Sequence, residues 1–166
     1  IMATPVYEKQ LREIPLFNEP FLALFPKGDQ HLSEKLINPN ELITDHLLLL
    51  SEGHCFRNQA LNICKTEEVL QPRSFEYQSG SIETLKELVE KGIGYTLVPE
   101  LSVLKELGKN KNLRRFKNPE PSREVSLVVH RSFSRERFIE VLRESILQNI
   151  PAHFSQSKSF FRVKWR

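Results

Sequence analysis

A continuous apolar run at residues 46–50 turns through Ser51-Glu52-Gly53 into residues 55–64, a stretch with neither proline nor glycine and a cysteine at each end. An unbroken apolar run reads as a buried strand, and a breaker-free stretch after a glycine turn reads as a helix. Cys55 and Cys64 are the chain's two cysteines, nine residues apart. In a helix, nine residues rise about 13.5 Å and turn about 900°, so the two side chains leave opposite faces. A disulfide needs Cα atoms within about 7 Å of each other. The helix and a Cys55–Cys64 disulfide therefore exclude one another, and a chain that visits both states is a redox switch.

The same alternation of apolar runs and helical patterns continues along the chain. Residues 13–17 and 21–25 read as strands separated by Asn18-Glu19-Pro20, and Asn38-Pro39-Asn40 opens a brief helix. Residues 74–78 read as a strand. Ser81 is placed to cap a helix with Ile82, Leu85, Leu88 and Val89 on one face, and Gly92 to end it. Residues 95–98 form a buried strand closed by Pro99 before a helix at 100–107, and residues 125–130 form another strand. Ser134 or Arg135 opens a last helix with Phe138, Val141, Leu142, Ser145 and Ile146 on one stripe. Strands alternating with helices predict an α/β fold with parallel pairings. Residues 1–3 read as a strand with no turn or helix before it.

With 39% hydrophobic and 27% charged residues, the 166-residue chain can bury a core as one domain or two small lobes. Its apolar runs, residues 47–50 among them, are far too short to span a membrane, so no membrane partner is expected. The first residues lack the basic flank and apolar stretch of a signal peptide, and the expected compartment is a reducing cytoplasm, where a cysteine pair is reactive or buried more often than a structural staple. The net charge of +3 comes from the end of the chain: residues 151–166 hold Lys158, Arg162, Lys164 and Arg166 and no acid, and setting these four aside leaves 20 basic residues against 21 acidic. The body thus has no basic footprint for nucleic acid. The tail also carries Phe154, Phe160, Phe161 and Trp165, a composition able to touch DNA, a membrane surface or a neighbouring subunit; the plainer reading is an ordered or frayed extension that packs its aromatics on the body.

Cys55 sits where a helix begins, and there unpaired N–H groups and the helix dipole favour an anion. The thiolate is a cysteine's reactive form, and neighbouring cations favour it. His54 and Arg57 are candidate cations, and Asn58 and Gln59 candidate hydrogen-bonding groups for a peroxide or a departing hydroxide. A thiolate that attacks peroxide becomes a sulfenic acid, which a second thiol can capture; Cys64 is the one other thiol available. The plain alternative is that both cysteines are small buried hydrophobes, a description that suits Cys64 beside Ile63.

Other chemistries find less support. His54, Cys55 and Cys64 lack a fourth ligand and the close-paired spacing of a zinc site, so no metal is expected. There is no Cys-x-x-Cys and no nucleotide-binding glycine signature, and no cofactor is expected. Gly92-Ile93-Gly94 follows a helix and reads as its end. Glu41 with Asp45, and Glu67 with Glu68, read as solvated surface; His46, His130 and Arg131 carry no motif.

The stretch Leu47-Leu48-Leu49-Leu50-Ser51-Glu52-Gly53-His54-Cys55-Phe56-Arg57-Asn58-Gln59-Ala60, with Cys64 nine residues after Cys55, resembles the regulatory domains of the peroxide sensors among the LysR-type transcriptional regulators. Ile14-Pro15-Leu16-Phe17-Asn18-Glu19-Pro20 and Pro119-Glu120-Pro121-Ser122-Arg123 resemble that family's two interlobe crossovers. Ser81-Ile82-Glu83-Thr84-Leu85 and Gly92-Ile93-Gly94-Tyr95-Thr96-Leu97-Val98-Pro99 resemble its helix–strand pair. The resemblance covers about residues 1–150. It implies two Rossmann-like lobes of the periplasmic-binding-protein kind, with residues 18–122 as the second lobe and residues 1–17 and 123–150 as part of an incomplete first lobe. Residues 151–166 remain as a basic-aromatic tail, and the chain is expected to be a fragment.

By the same resemblance Cys55 is the peroxide-attacking cysteine and Cys64 the resolving one. His54 and Gln59 line the peroxide pocket, Arg57 sits beside it, and Arg123 matches an arginine near the thiolate. Asn58 departs from the acidic residue often found at its position, which removes a negative charge beside the thiolate and is expected to leave reactivity intact. The implied partners are hydrogen peroxide, further copies of the chain as homodimer or homotetramer, promoter DNA through a helix-turn-helix domain absent from this sequence, and RNA polymerase. Two other functions stay open: an effector domain that binds a small metabolite between its lobes, and a thiol peroxidase. The leading expectation is a sensor and not an enzyme.

Overall fold

A computed structural model describes residues 1–42, 46–51, 55–64, 80–155 and 160–163. The expected strand at 74–78, Gly53, His54, Asp45, the Glu67/Glu68 pair, Lys158 and Trp165 lie outside the described residues. The fold is organised by two long antiparallel strands, β2 (Leu11–Leu24) and β6 (Glu120–His130). Short strands add to them: β1 (Met2–Thr4) pairs with β6, while β4 (Thr96–Pro99) and β5 (Leu113–Phe116) both pair with β2. β3 (Leu36–Ile37) runs parallel to β5, and β7 (Phe160–Arg162) parallel to β6. The α-helices are α1 (Cys55–Ile63), α2 (Ile82–Glu90) and α3 (Glu136–Gln148). Among the described residues no helix is long and apolar enough to cross a membrane.

β2 corrects the expectation of two strands. The chain runs extended straight through Asn18-Glu19-Pro20, changing partners there: residues 11–20 pair with β6, and residues 21–24 with β4 and β5. Proline has no N–H to give a ladder. Pro20 stands at the handover, and the register shift lies between Pro15 and Phe17, so the prolines fall where the ladder is already changing. Each half of β2 serves its own core. Leu16 and Phe17 pack with Val125, Leu127 and Ile139 of α3, whereas Phe21, Ala23 and Phe25 pack with the inner faces of α1 and α2.

Three other expectations are corrected. Residues 46–50 form no continuous strand: Leu47 makes an isolated parallel bridge to Tyr95, and the Thr96 hydroxyl donates to the Leu48 carbonyl at 2.9 Å. The expected helix at 100–107 is a 3-10 turn, Glu100–Val103, followed by further turns through Lys109, with Gly108 at φ +76°. There the Ser102 hydroxyl donates to the Pro99 carbonyl at 2.7 Å, a local bond that competes with helix. On α3 the expected stripe is turned outward. Ile139 is buried and Ile146 partly so, while Phe138, Val141 and Leu142 face solvent.

The tail is built in. Phe154 is fully buried, tilted against Phe17 at 5.6 Å, and Val163 is buried as well, whereas Phe161 is exposed. Ser81 occupies the N-cap of α2, and Gly92 at φ +79° ends that helix as expected.

Gly94 positions the run leading into α1. A Cβ there would stand 2.3 Å from the His46 carbonyl oxygen, the acceptor of the Tyr95 N–H. Gly94→Ala must push the 46–50 segment away. The expected loss is about 1–3 kcal/mol, as for other forced overpacking, read as a lower urea midpoint at unchanged m-value.

Candidate functional site

α1 forms because nine breaker-free residues follow one another and an apolar stripe recurs at helical spacing. Phe56, Ala60 and Ile63 are buried on that stripe, and the Phe56 ring meets Phe21 at 5.6 Å. Cys55 opens the helix and is half-buried. Cys64 follows the last helical residue, and its N–H still bonds to the Ala60 carbonyl at 3.3 Å, so the helical path carries through to it. The two cysteines are not joined by a disulfide and stand at opposite ends of the helix.

The two thiols differ in environment. Cys64 is buried, and burial pushes its thiol up to about 11 from an ordinary 9.0, opposed by a hydrogen bond with Tyr95. A thiol so placed is almost wholly protonated at neutral pH and is a poor nucleophile. Cys55 stands in the first turn, where N–H groups are free of helix partners.

Gln59 lies one turn beyond Cys55 on the same helix face. Its side chain is 0% exposed, and among the described residues neither its Oε1 nor its Nε2 has a hydrogen-bond partner. A buried amide with both ends unpaired costs energy unless a small polar molecule meets it. Arg57 donates from Nη1 to the Leu50 carbonyl at 3.2 Å, tying the start of the helix to the run before it. Asn58 is exposed. His54 lies outside the described residues.

Arg123 sits on β6 directly opposite Glu19 of β2, and its Nε donates to Glu19 Oε2 at 2.8 Å. Glu19 is 1% exposed, and its second oxygen accepts the Leu101 N–H at 2.9 Å. This carboxylate was not singled out from the sequence, where Asn18-Glu19-Pro20 reads as a break between strands. Tyr95 was likewise read only as a strand residue, and no local motif marks it as the neighbour of Cys64. The structure thus places Cys55, Arg57 and Gln59 within the first five residues of α1, and it engages Arg123 with Glu19 at the strand crossing. Among the described residues no group of three or more His, Cys, Asp and Glu side chains could hold a metal ion.

Residues 1–151 match the family described as LysR substrate binding domain. The chain is 37% identical over 130 residues to the hydrogen peroxide-inducible genes activator of Haemophilus influenzae, covering 77% of this chain and 42% of that protein. It is 32% identical over 146 residues to the DNA-binding transcriptional dual regulator OxyR of Escherichia coli K12, covering 87% and 47%. The chain therefore spans less than half the length of these curated relatives. Among solved structures, OxyR from Porphyromonas gingivalis superposes with a TM-score of 0.79 at 31% identity, covering 93% of this chain and 70% of that one. The reduced OxyR regulatory domain from Pseudomonas aeruginosa gives 0.72 at 34% identity, covering 89% and 70%. The mixed α/β architecture with its curled sheet is the periplasmic-binding-protein-like fold of these domains.

The raised Cys64 thiol has a consequence at alkaline pH. Its folded value lies above its unfolded one, so its contribution to stability is intact below pH 9.0 and is lost as the pH climbs through about 11. Two units correspond to about 2–3 kcal/mol. Urea unfolding between pH 8 and pH 11 is expected to show this extra loss in the parent chain and not in Cys64→Ala.

Proposed function

Because the chain belongs to the LysR substrate-binding-domain family, we propose that it is the regulatory domain of a peroxide-responsive LysR-type transcriptional activator, switched by a Cys55–Cys64 disulfide. The observation that carries this reading is the pair of unlike thiols at the two ends of one helix, with the unsatisfied Gln59 amide one turn from the more accessible of them.

The chemistry runs in two steps. The Cys55 thiolate attacks one oxygen of hydrogen peroxide; an S–O bond forms, the O–O bond breaks, and the departing hydroxide takes a proton to become water. Gln59 holds the peroxide, with His54 and Arg57 beside it, and Asn58 leaves the thiolate without an acidic neighbour at that position. In the second step the Cys64 sulfur attacks the Cys55 sulfenic acid. The S–S bond forms, the S–O bond breaks, and a second water leaves with the Cys64 proton. Two thiols are oxidised for each peroxide reduced.

α1 must unwind between these steps, since the helix holds the sulfurs apart. Unwinding also takes Cys64 out of the burial that suppresses its thiolate. The Cys55 step needs no such movement, so oxidation at Cys55 precedes the rearrangement. Arg123 supports the thiolate from beyond its Glu19 pair. In the complete protein the rearranged residues alter the contacts between copies of the chain, as dimer or tetramer, and so the setting of DNA-binding domains on a promoter and their access to RNA polymerase. The bistable element is α1 and the signal is the oxidation of one thiol.

Peptide mapping before and after one equivalent of peroxide tests the assignment. The parent chain is expected to yield a linked Cys55–Cys64 peptide and to lose helical circular dichroism. Cys55→Ser is expected to form no disulfide and to lower the rate of peroxide consumption at least a hundredfold, on the order of the loss of one activated nucleophile. Unchanged oxidation at Cys64 in that variant would refute the division of roles.

A further inference from the structure

We propose that the outward face of α3 is a docking surface for a second copy of the chain, with the two helices antiparallel about a two-fold axis. This face is independent of α1 and its redox chemistry. α1 and α2 turn their apolar stripes inward, whereas Ile139 is the one buried residue of α3. Phe138, Val141, Leu142 and Ser145 stand on another face of α3, at i, i+3, i+4 and i+7, the spacing of a face that meets a neighbouring helix. All four are exposed, Phe138 at 62% and Val141 at 59%. Beside them runs an open groove lined by Ser134, Arg135, Glu136, Arg137, Phe138 and Val141. Phe133, just before the helix, is exposed as well.

The charges beside this face are placed for self-pairing. Arg137 and Glu144 are seven residues apart, or two helical turns, so they lie along one edge of it about 10 Å apart. In an antiparallel pair related by a two-fold axis, residue i meets residue j and j meets i. Arg137 of one copy then meets Glu144 of the second copy, and its Glu144 meets the other Arg137. The same register sets Val141 beside Val141 at the axis. It also brings Phe138 level with the gap between Leu142 and the small Ser145 of the second copy. Among the described residues neither Arg137 nor Glu144 has an ion-pair or hydrogen-bond partner, whereas Glu136 is held by Arg12 at 2.7 Å. Residues 135–148 carry three arginines and three glutamates, so two copies approach without net repulsion. With 13 residues the helix is about 20 Å long. A contact of that extent belongs to the small, transient class of interfaces, and a dissociation constant of about 100 µM is expected.

Sedimentation equilibrium of the full, reduced chain from about 10 µM to about 1 mM tests the pairing. Association is expected to rise over this range, from monomer to dimer or, where copies already pair elsewhere, from dimer to tetramer. Phe138→Lys is expected to remove that step at an unchanged urea midpoint; where it lowers the midpoint, Val141→Lys takes its place. Phe161→Lys, at an exposed apolar position on β7, is expected to leave the step intact. Arg137→Glu and Glu144→Arg are each expected to weaken it about tenfold, because both pairs become like-charged. An equimolar mixture of these two variants, or the double variant, is expected to recover it to within about threefold, since facing charges are again opposite. No association up to about 1 mM assigns the face to a different partner and overturns the proposal. An unchanged step in Phe138→Lys or in both charge variants, or an equal loss in Phe161→Lys, overturns it too. Losses in the charge variants that mixing does not reverse overturn the antiparallel pairing.

Discussion

The antiparallel pairing of β2 with β6 carries the rest of the molecule, because one strand supplies residues to two separate cores. Phe17 faces the core under α3, and four residues later Phe21 faces the core that receives α1. Between them Glu19 lies opposite Arg123, so a buried cross-strand ion pair fixes the register at the place where β2 changes partners. Removing one member of a buried pair costs about 3–5 kcal/mol, since the other charge is left without compensation. Glu19 also holds the Leu101 N–H, and this ties the turn after β4 to the same crossing. A second buried carboxylate, Glu100, then draws Arg115 and His153 to it from β5 and from the tail. Two buried acids, each paired through at least one oxygen with groups distant in sequence, set how the crossing strands and the tail meet.

That framework gives α1 a wall to lean on while making little use of it. The helix contributes Phe56, Ala60 and Ile63 to one core, and the cores under α3 and around Val98 contain no α1 residue. The difference between the thiols has the same origin. Cys64 is on the side where the helix meets the core, next to Tyr95, and Cys55 is at the end where the helix emerges. The local geometry thereby separates a partly exposed thiol from a buried one held in its protonated form.

The parts of this arrangement that were legible in the sequence are those decided over short distances. The helix between the cysteines, the N-cap position at Ser81 and the helix end at Gly92 all follow from neighbouring residues, and the structure has each of them. Misread were the features decided by partners far along the chain. Asn18-Glu19-Pro20 has the composition of a turn, and only β6 on one side and β4 with β5 on the other keep it extended. The outward stripe of α3 has the same explanation: two apolar faces compete, and Leu16, Phe17 and Leu127 select the one that carries Ile139. Glu19 and Glu100 carry no local mark of their burial, because nothing in their immediate sequence announces Arg123, Arg115 or His153. Tyr95 escaped notice for the same reason, as it lies 31 residues after Cys64.

A switch built on α1 also has to avoid unfolding what surrounds it, and the magnitudes allow this. Withdrawing Phe56 and Ile63 from the core costs about 1.5–3 kcal/mol for each side chain left exposed. That total is comparable to a sizeable part of a domain's stability of about 5–15 kcal/mol, so the helix does not open at random to any large extent. It is also small enough that a covalent bond between the two sulfurs can hold the segment open. The penalty is confined further because Leu16, Phe17, Val125 and Phe154 pack without help from α1, and the β2–β6 pair stays intact with them. The framework that positions the helix therefore survives its loss, and a local change in one segment can be presented to neighbouring parts of the structure as a change of surface and not as a loss of fold.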